Sequence, residues 1–286
     1  MTFNDNAKID SSRTKRRGRT GAIAGGGGVV GIIAIALLSQ LFGVDLSGLV
    51  GGGGTDGSDE AIVGCDYGTD ANSDLDCRLA GAGDSLDDYW AGQVEGYRPT
   101  DVVLFDDQAN TGCGGATSAV GPFYCPADET IYIDTAFFGE LSTTYGANGG
   151  PLAEMYVLAH EWGHHIQNVT GVMTGLDTQT TGPTSDGVRL EVQADCYAGA
   201  WVAAASTTLD ESGVPLLEPV TDQQVADALS AASAVGDDRI QESTTGQVNP
   251  ETWTHGSSEQ RQKWFTSGYN GGPAACDTFG ASAAEL

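Results

Sequence analysis

Met155-Tyr-Val-Leu-Ala-His-Glu-Trp-Gly-His-His-Ile-Gln167 holds three of the four histidines in a chain of 286 residues. Pro151 suits the first position of a helix and Gly171 its C-terminal cap, so one helix is predicted to run through the stretch. On it, His160 and His164 stand at i and i+4 and leave one face about 6 Å apart. Two imidazoles placed this way converge on a single ion, and Glu161 lies where a carboxylate can take a proton from water. Histidines on a half-buried helix are more often satisfied core or surface residues, but the spacing and the helical setting together favour a metal. Zinc accepts imidazole nitrogen, and in catalytic sites it keeps one position open for water.

Two histidines are too few for zinc, so a third donor is required. The metzincin continuation asks for Gly and His where this chain has Gln167 and Thr170. Arg189-Leu-Glu-Val-Gln-Ala-Asp-Cys-Tyr-Ala-Gly199 is a better source. A second helix is predicted over Asp186 to about Ala205, and on it Glu191 and Asp195 are again i and i+4. One carboxylate can ligate the metal while the other accepts the remaining N–H of a ligand histidine and fixes its tautomer. A solvated acidic face is the competing reading, but Leu190, Val192, Ala194 and Ala198 surround the pair, and bare carboxylates among apolar neighbours are costly. Glu191 is the expected ligand, and Asp195 is the supporting residue or the substitute ligand.

His160-Glu-Trp-Gly-His-His-Ile-Gln167 and Leu190 through Gly199 resemble the signature of the bacterial neutral zinc metallopeptidases. Gly121-Pro-Phe-Tyr-Cys-Pro-Ala-Asp128 with Ile131-Tyr-Ile-Asp134 is similar to that family too. So are Gly236-Asp-Asp-Arg239, Thr254-His-Gly-Ser257 and Cys276-Asp-Thr-Phe279. The resemblance covers essentially the whole chain. It implies a zincin-like domain, Zn2+ as cofactor, a peptide or protein substrate and a membrane-anchored layout. The Glu-x-x-x-Asp order is also similar to the gluzincin arrangement. In that arrangement the Glu binds zinc, the Asp supports a His, and a separate histidine donates to the tetrahedral oxyanion. His255 could have that role here or could merely cap a helix. The strand at Ile131–Asp134 is expected to be an edge that holds substrate in extended form by β-addition, as in zincins. His165 points about 100° away from the ligand face and reads as packing. Gly163 inside a helix costs roughly 1 kcal/mol against Ala, which suggests a close neighbour. Asp237, Asp238 and Arg239 read as a structural ion-pair cluster.

Composition suggests a tether and one exported domain. Thr20–Val44 carries no charge over 25 residues, and Arg13-Thr-Lys-Arg-Arg-Gly-Arg19 before it carries five positive charges. By the positive-inside rule this predicts a basic cytoplasmic tail (1–20), one transmembrane helix (21–44), a glycine-rich linker (45–60) and an extracytoplasmic domain (61–286). A cleaved signal peptide is the rival, but its Ala34-Ile-Ala36 site lies inside continuing apolar sequence. Six of the 12 basic and two of the 39 acidic residues fall in 1–43, leaving a net charge of −31 beyond it. Such a surface repels phosphate backbones and makes nucleic acid a poor partner.

All six cysteines (Cys65, Cys77, Cys113, Cys125, Cys196 and Cys276) lie in the predicted exported part, where disulfides are favoured over thiol chemistry. Short loops suggest Cys65–Cys77 and Cys113–Cys125, leaving Cys196–Cys276; a buried free thiol at Cys196 is the alternative. A helix is expected over Leu79–Tyr97, β-strands at Asp101–Phe105 and Thr130–Asp134, then helices opened by Thr221-x-x-Gln224 and Ser257-x-x-Gln260. A small β-sheet followed by several helices is an α+β pattern. The whole reads as a membrane-anchored zinc metallopeptidase with Glu161 as general base. A surface binding or scaffold module that keeps zinc only for folding is the alternative.

Overall fold

The structure, a computed structural model, describes residues 2–18 and 59–286. Its sheet is built around Asp101-Val-Val-Leu-Phe105, whose apolar side chains point to both faces. This strand, β3 (Asp101–Phe105), is central in the order β2 (Asp59–Ala61), β1 (Thr14–Arg17), β3, β7 (Thr130–Asp134), β6 (Phe123–Cys125). β1, β3 and β7 run parallel, while β2 and β6 pair antiparallel at the two edges. Successive side chains alternate between faces: Val102, Leu104, Ile131 and Ile133 join the main core under the helices. Val103, Phe105 and Tyr132 pack on the other face beneath a hairpin of β4 (Gln108–Thr111) and β5 (Gly114–Thr117).

The helices are α1 (Gly68–Ser73), α2 (Leu75–Ala91), α3 (Phe137–Thr143), α4 (Pro151–Val169), α5 (Asp186–Ala204), α6 (Asp222–Ala234), α7 (Asp237–Thr245) and α8 (Ser258–Gly271). Their starts follow local chemistry. Pro151 occupies the first turn of α4, where its missing N–H is no loss. Ser185 accepts from Val188 N at the head of α5. Thr221 with Gln224 and Ser257 with Gln260 form capping boxes on α6 and α8.

Three glycines let the site-bearing helices approach closely. A Cβ at Gly268 on α8 would lie 1.8 Å from the Cys196 carbonyl oxygen on α5. One at Gly199 would lie 2.0 Å from the Phe265 carbonyl oxygen, and one at Gly163 on α4 would lie 2.8 Å from Ala194 Cα. Helix α5 is thus gripped between α4 and α8 at distances that only hydrogen side chains allow. Disulfides join Cys65 to Cys77, Cys113 to Cys125 and Cys196 to Cys276.

Several expectations are corrected. Among the described residues no helix is long and apolar enough to cross a membrane. The predicted anchor at 21–44 and most of the predicted linker lie outside the described residues; residues 59 and 60 of that linker belong to β2. The basic run is not a tail on the far side of a membrane from the domain, because Thr14–Arg17 is the β1 strand of the domain's own sheet. Phe3 and Ala7 are buried in the main core. The charges have partners within the domain: Arg16 meets Asp76 and Asp106, Lys15 meets Asp101, and Arg17 meets Asp59. The single-pass placement with an extracytoplasmic domain and membrane attachment through an N-terminal helix is therefore set aside. The strand at Ile131–Asp134 is not an edge either, since β3 and β6 pair with both of its sides; the edge is β6.

Candidate metal centre

Helix α4 is buried along most of its length and presents His160 and His164 from one face. Helix α5 crosses it at Gly163 and aims Glu191 at the same point. His160 Nε2 lies 3.3 Å from Glu191 Oε2, and His164 Nε2 lies 3.5 Å from Glu191 Oε1. One donor atom from each of these three buried residues falls within 4.8 Å of the others.

The outer nitrogens of both imidazoles are held from behind. His160 Nδ1 is 2.9 Å from Asp195 Oδ1, and His164 Nδ1 is 2.9 Å from Gln167 Oε1. Both partners accept a proton from Nδ1, so each ring turns the lone pair of Nε2 towards the other donors. Gln167 is itself fixed, because its Nε2 donates to the Leu190 carbonyl at 2.7 Å and to Gln193 Oε1 at 3.2 Å. Asp195 is fully buried and accepts from Arg261 Nε at 2.8 Å, from Arg261 Nη2 at 3.0 Å and from the Tyr156 hydroxyl. Burial alone would raise its carboxyl, but the Arg261 guanidinium and His160 outweigh that and bring it down to about 2. Burial acts on Glu191 in the same direction, and His164 and His160 again prevail, holding it well below the usual carboxylate range.

Glu161 is buried beside the three donors and lines the cleft onto which they open. Burial raises its pKa, and the neighbouring His160 and His164 only partly reverse this. A carboxylate whose affinity for a proton is increased in this way is suited to general-base work. His255 lines the same cleft. Asp237 Oδ1 lies 3.1 Å from its Nδ1, while Asp237 Oδ2 accepts from the backbone N–H groups of Thr254, His255 and Gly256. Burial lowers the pKa of His255, but Asp237 and Glu191 more than offset this and raise it.

The structure places the other residues singled out from sequence as follows. His165 stands apart from the donors, between the Tyr124 hydroxyl at 3.1 Å and the Arg98 carbonyl at 2.6 Å. Since a carbonyl only accepts, its Nε2 carries the proton and its Nδ1 receives Tyr124. The expected ion-pair cluster of Asp237, Asp238 and Arg239 is not what the structure shows: Asp237 is the partner of His255. Asp238 accepts from the backbone and hydroxyl of Ser258 at the head of α8. Sequence reasoning missed Tyr156, Gln167 and Arg261. The first two stand at i−4 from His160 and i+3 from His164, a spacing that places them on the same helix face as those histidines. Arg261 follows the capping box of α8, and nothing local ties it to Asp195.

Residues 3–279 match the family described as "Putative neutral zinc metallopeptidase". The chain belongs to this family. It is 50% identical over 294 residues to uncharacterized proteins of Mycobacterium tuberculosis H37Rv and Mycobacterium bovis, with 100% of each chain covered. To YpfJ, an uncharacterized protein of Escherichia coli K12, it is 35% identical over 269 residues, covering 91% of this chain and 88% of that one. No solved structure matches.

The family's metal fits the donor set. Two imidazole nitrogens and a carboxylate oxygen are ligands that zinc takes, and three protein ligands are the number a catalytic zinc site uses. Without a cation, the lone pairs of two imidazole nitrogens would face a buried carboxylate at 3.3 and 3.5 Å, an arrangement that only added protons could reconcile. The cofactor of this zinc metallopeptidase family member is Zn2+, and His160, His164 and Glu191 are the buried group able to hold it.

Proposed function

We propose that the protein is a zinc-dependent peptidase that hydrolyses peptide bonds, with Glu161 as its general base. The observation that carries this reading is the position of Glu161, buried and lining the cleft next to the converging donors of His160, His164 and Glu191. A zinc held only for folding would be served by a closed set of four protein ligands, whereas the donor group here has three members among the described residues.

Zinc bound there would lower the pKa of a water and polarise a peptide carbonyl. Glu161 accepts the proton that the water gives up and delivers it to the departing amine. Asp195 and Gln167 keep His160 and His164 in the tautomer that presents Nε2. His255, held by Asp237, donates from Nε2 to the oxygen on which negative charge develops. A substrate seated against the apolar neighbours of the cleft would displace water and so strengthen each of these interactions.

Zinc-loaded protein incubated with a library of denatured proteins should generate new N-termini detectable by mass spectrometry. The cleavage should stop with chelator and resume with added zinc. A stable zinc complex that produces no new termini would replace this reading with that of a zinc-stabilised binding module.

A further inference from the structure

A cleft opens beside Glu161. Away from the metal donors its walls are mostly hydrocarbon; besides Val120–Pro122 and Tyr145, four helical segments contribute to them. Val157 comes from α4, Phe137 and Leu141 from α3, Ala231 and Val235 from α6 and its C-terminal cap, and Ile240 from α7. Val157 precedes Glu161 by four residues and therefore shares its helix face, which continues the apolar wall up to the reacting groups. Phe137, Leu141, Val157 and Ala231 are buried, whereas Val235 and Ile240 are half-buried and keep apolar surface turned to solvent. A hydrocarbon guest would remove that surface from water.

Charge argues in the same direction. Arg261 is the one basic side chain other than histidine that lines the cleft among the described residues. Its guanidinium is engaged by Asp195, the Tyr156 hydroxyl and the Val235 carbonyl. Glu161 and Glu191 border the same space. A carboxylate guest laid against the apolar wall would lose its hydration and find no cation among Phe137, Leu141, Val157, Ala231, Val235 and Ile240.

We infer that this wall is the subsite for a large apolar side chain, Leu or Phe, on a residue flanking the scissile peptide bond. The inference rests on the peptidase reading and names its substrate class. Leu exceeds Ala by three carbons, which in an apolar pocket amounts to about tenfold to a hundredfold in binding. Asp should be rejected at least as strongly as Ala.

The test titrates zinc-loaded full-length protein with peptide hydroxamates that differ only in the side chain next to the chelating group: Leu, Phe, Ala or Asp. Hydrolysis of matched peptides is followed in parallel. Leu and Phe are expected to bind about tenfold or more tightly than Ala. Ile240→Trp and Val235→Phe, both at half-buried positions and both filling the wall, should each reduce Leu binding about tenfold and leave Ala unchanged. Equal binding by all four probes, binding by none, or a Leu preference that both variants leave intact would overturn the inference. Because binding is read without turnover, an intact apolar preference with no peptide hydrolysed counts against the peptidase reading alone.

Discussion

Arg261 grips Asp195 side-on, Nε to Oδ2 at 2.8 Å and Nη2 to Oδ1 at 3.0 Å, with both residues out of solvent. The same Oδ1 faces His160 Nδ1, so this fork joins α8 through α5 to the metal-facing edge of α4. Bidentate arginine–carboxylate pairs are strong and geometrically specific. Removing one partner of such a buried pair leaves the other charge uncompensated, at about 3–5 kcal/mol. Arg261→Met should therefore lower the melting temperature of metal-free and zinc-loaded protein alike. Arg261→Lys should recover part of the loss, since it keeps the charge but not the fork. Thermal melts of the three proteins check this, and a Met variant as stable as the parent would contradict it.

Glu191 and Asp195 stand one helical turn apart on α5 but face different partners. Glu191 lies between His160 Nε2 and His164 Nε2, while Asp195 meets the back of His160. Glu191→Ala should nearly abolish zinc retention. Asp195→Ala should weaken it by about 10–100-fold, the usual cost of removing a residue behind a ligand histidine. Competition with a metallochromic chelator measures both. The reverse ranking would transfer the ligand role to Asp195.

The positions of His160, Glu161, His164, Glu191 and Asp195 could be read from the letters because helix pitch is local: i and i+4 share a face whatever surrounds them. Arg261 could not, since it lies 66 residues beyond Asp195 and the contact exists only once α8 packs on α5. Asp237 was misread for a related reason, because its partner His255 is 18 residues away, beyond α7 and the turns that follow it. Helix α7 has a single apolar residue, Ile240, too few to mark an i, i+3, i+4 stripe. The basic run at Arg13–Arg19 looked like a membrane-topology signal because the partners of Lys15, Arg16 and Arg17, namely Asp59, Asp76, Asp101 and Asp106, are all distant in sequence. The sequence order of Ile131–Asp134 says nothing of which strands flank it, so its interior place depended on β6, only three residues long.

Gly268 offers a test of the helix packing. Ala there would drive its methyl into the Cys196 carbonyl, which lies 1.8 Å from the ideal Cβ position, and α5 and α8 would have to separate. Overpacking of this kind costs typically 1–3 kcal/mol, and backbone cannot yield as a side chain would. Gly268→Ala should lower the midpoint of denaturant unfolding. Gly139→Ala on α3, where a Cβ meets nothing within 4 Å, should raise it slightly. Similar midpoints for the two variants would contradict the close approach.

The Cys196–Cys276 disulfide closes a separation of 80 residues, worth about 4–5 kcal/mol in the chain-entropy model. It also reaches the metal site: Gln193 Nε2 donates to the Cys276 carbonyl, Gln193 Oε1 accepts from Gln167, and Gln167 Oε1 faces His164 Nδ1. The Cys196→Ser, Cys276→Ser pair should therefore lose thermal stability and zinc affinity together. Loss of stability with zinc affinity unchanged would show that the chain of glutamines does not couple the disulfide to the metal donors.

Glu161→Gln tests the central claim most directly. Gln keeps the size and shape of the side chain but cannot accept a proton. Zinc content and peptide-bond hydrolysis should be measured on one preparation of this variant and of the parent. The account predicts unchanged zinc content with hydrolysis reduced by about 10²–10⁴-fold. Hydrolysis at the parent's rate, from a variant with full zinc content, would contradict it.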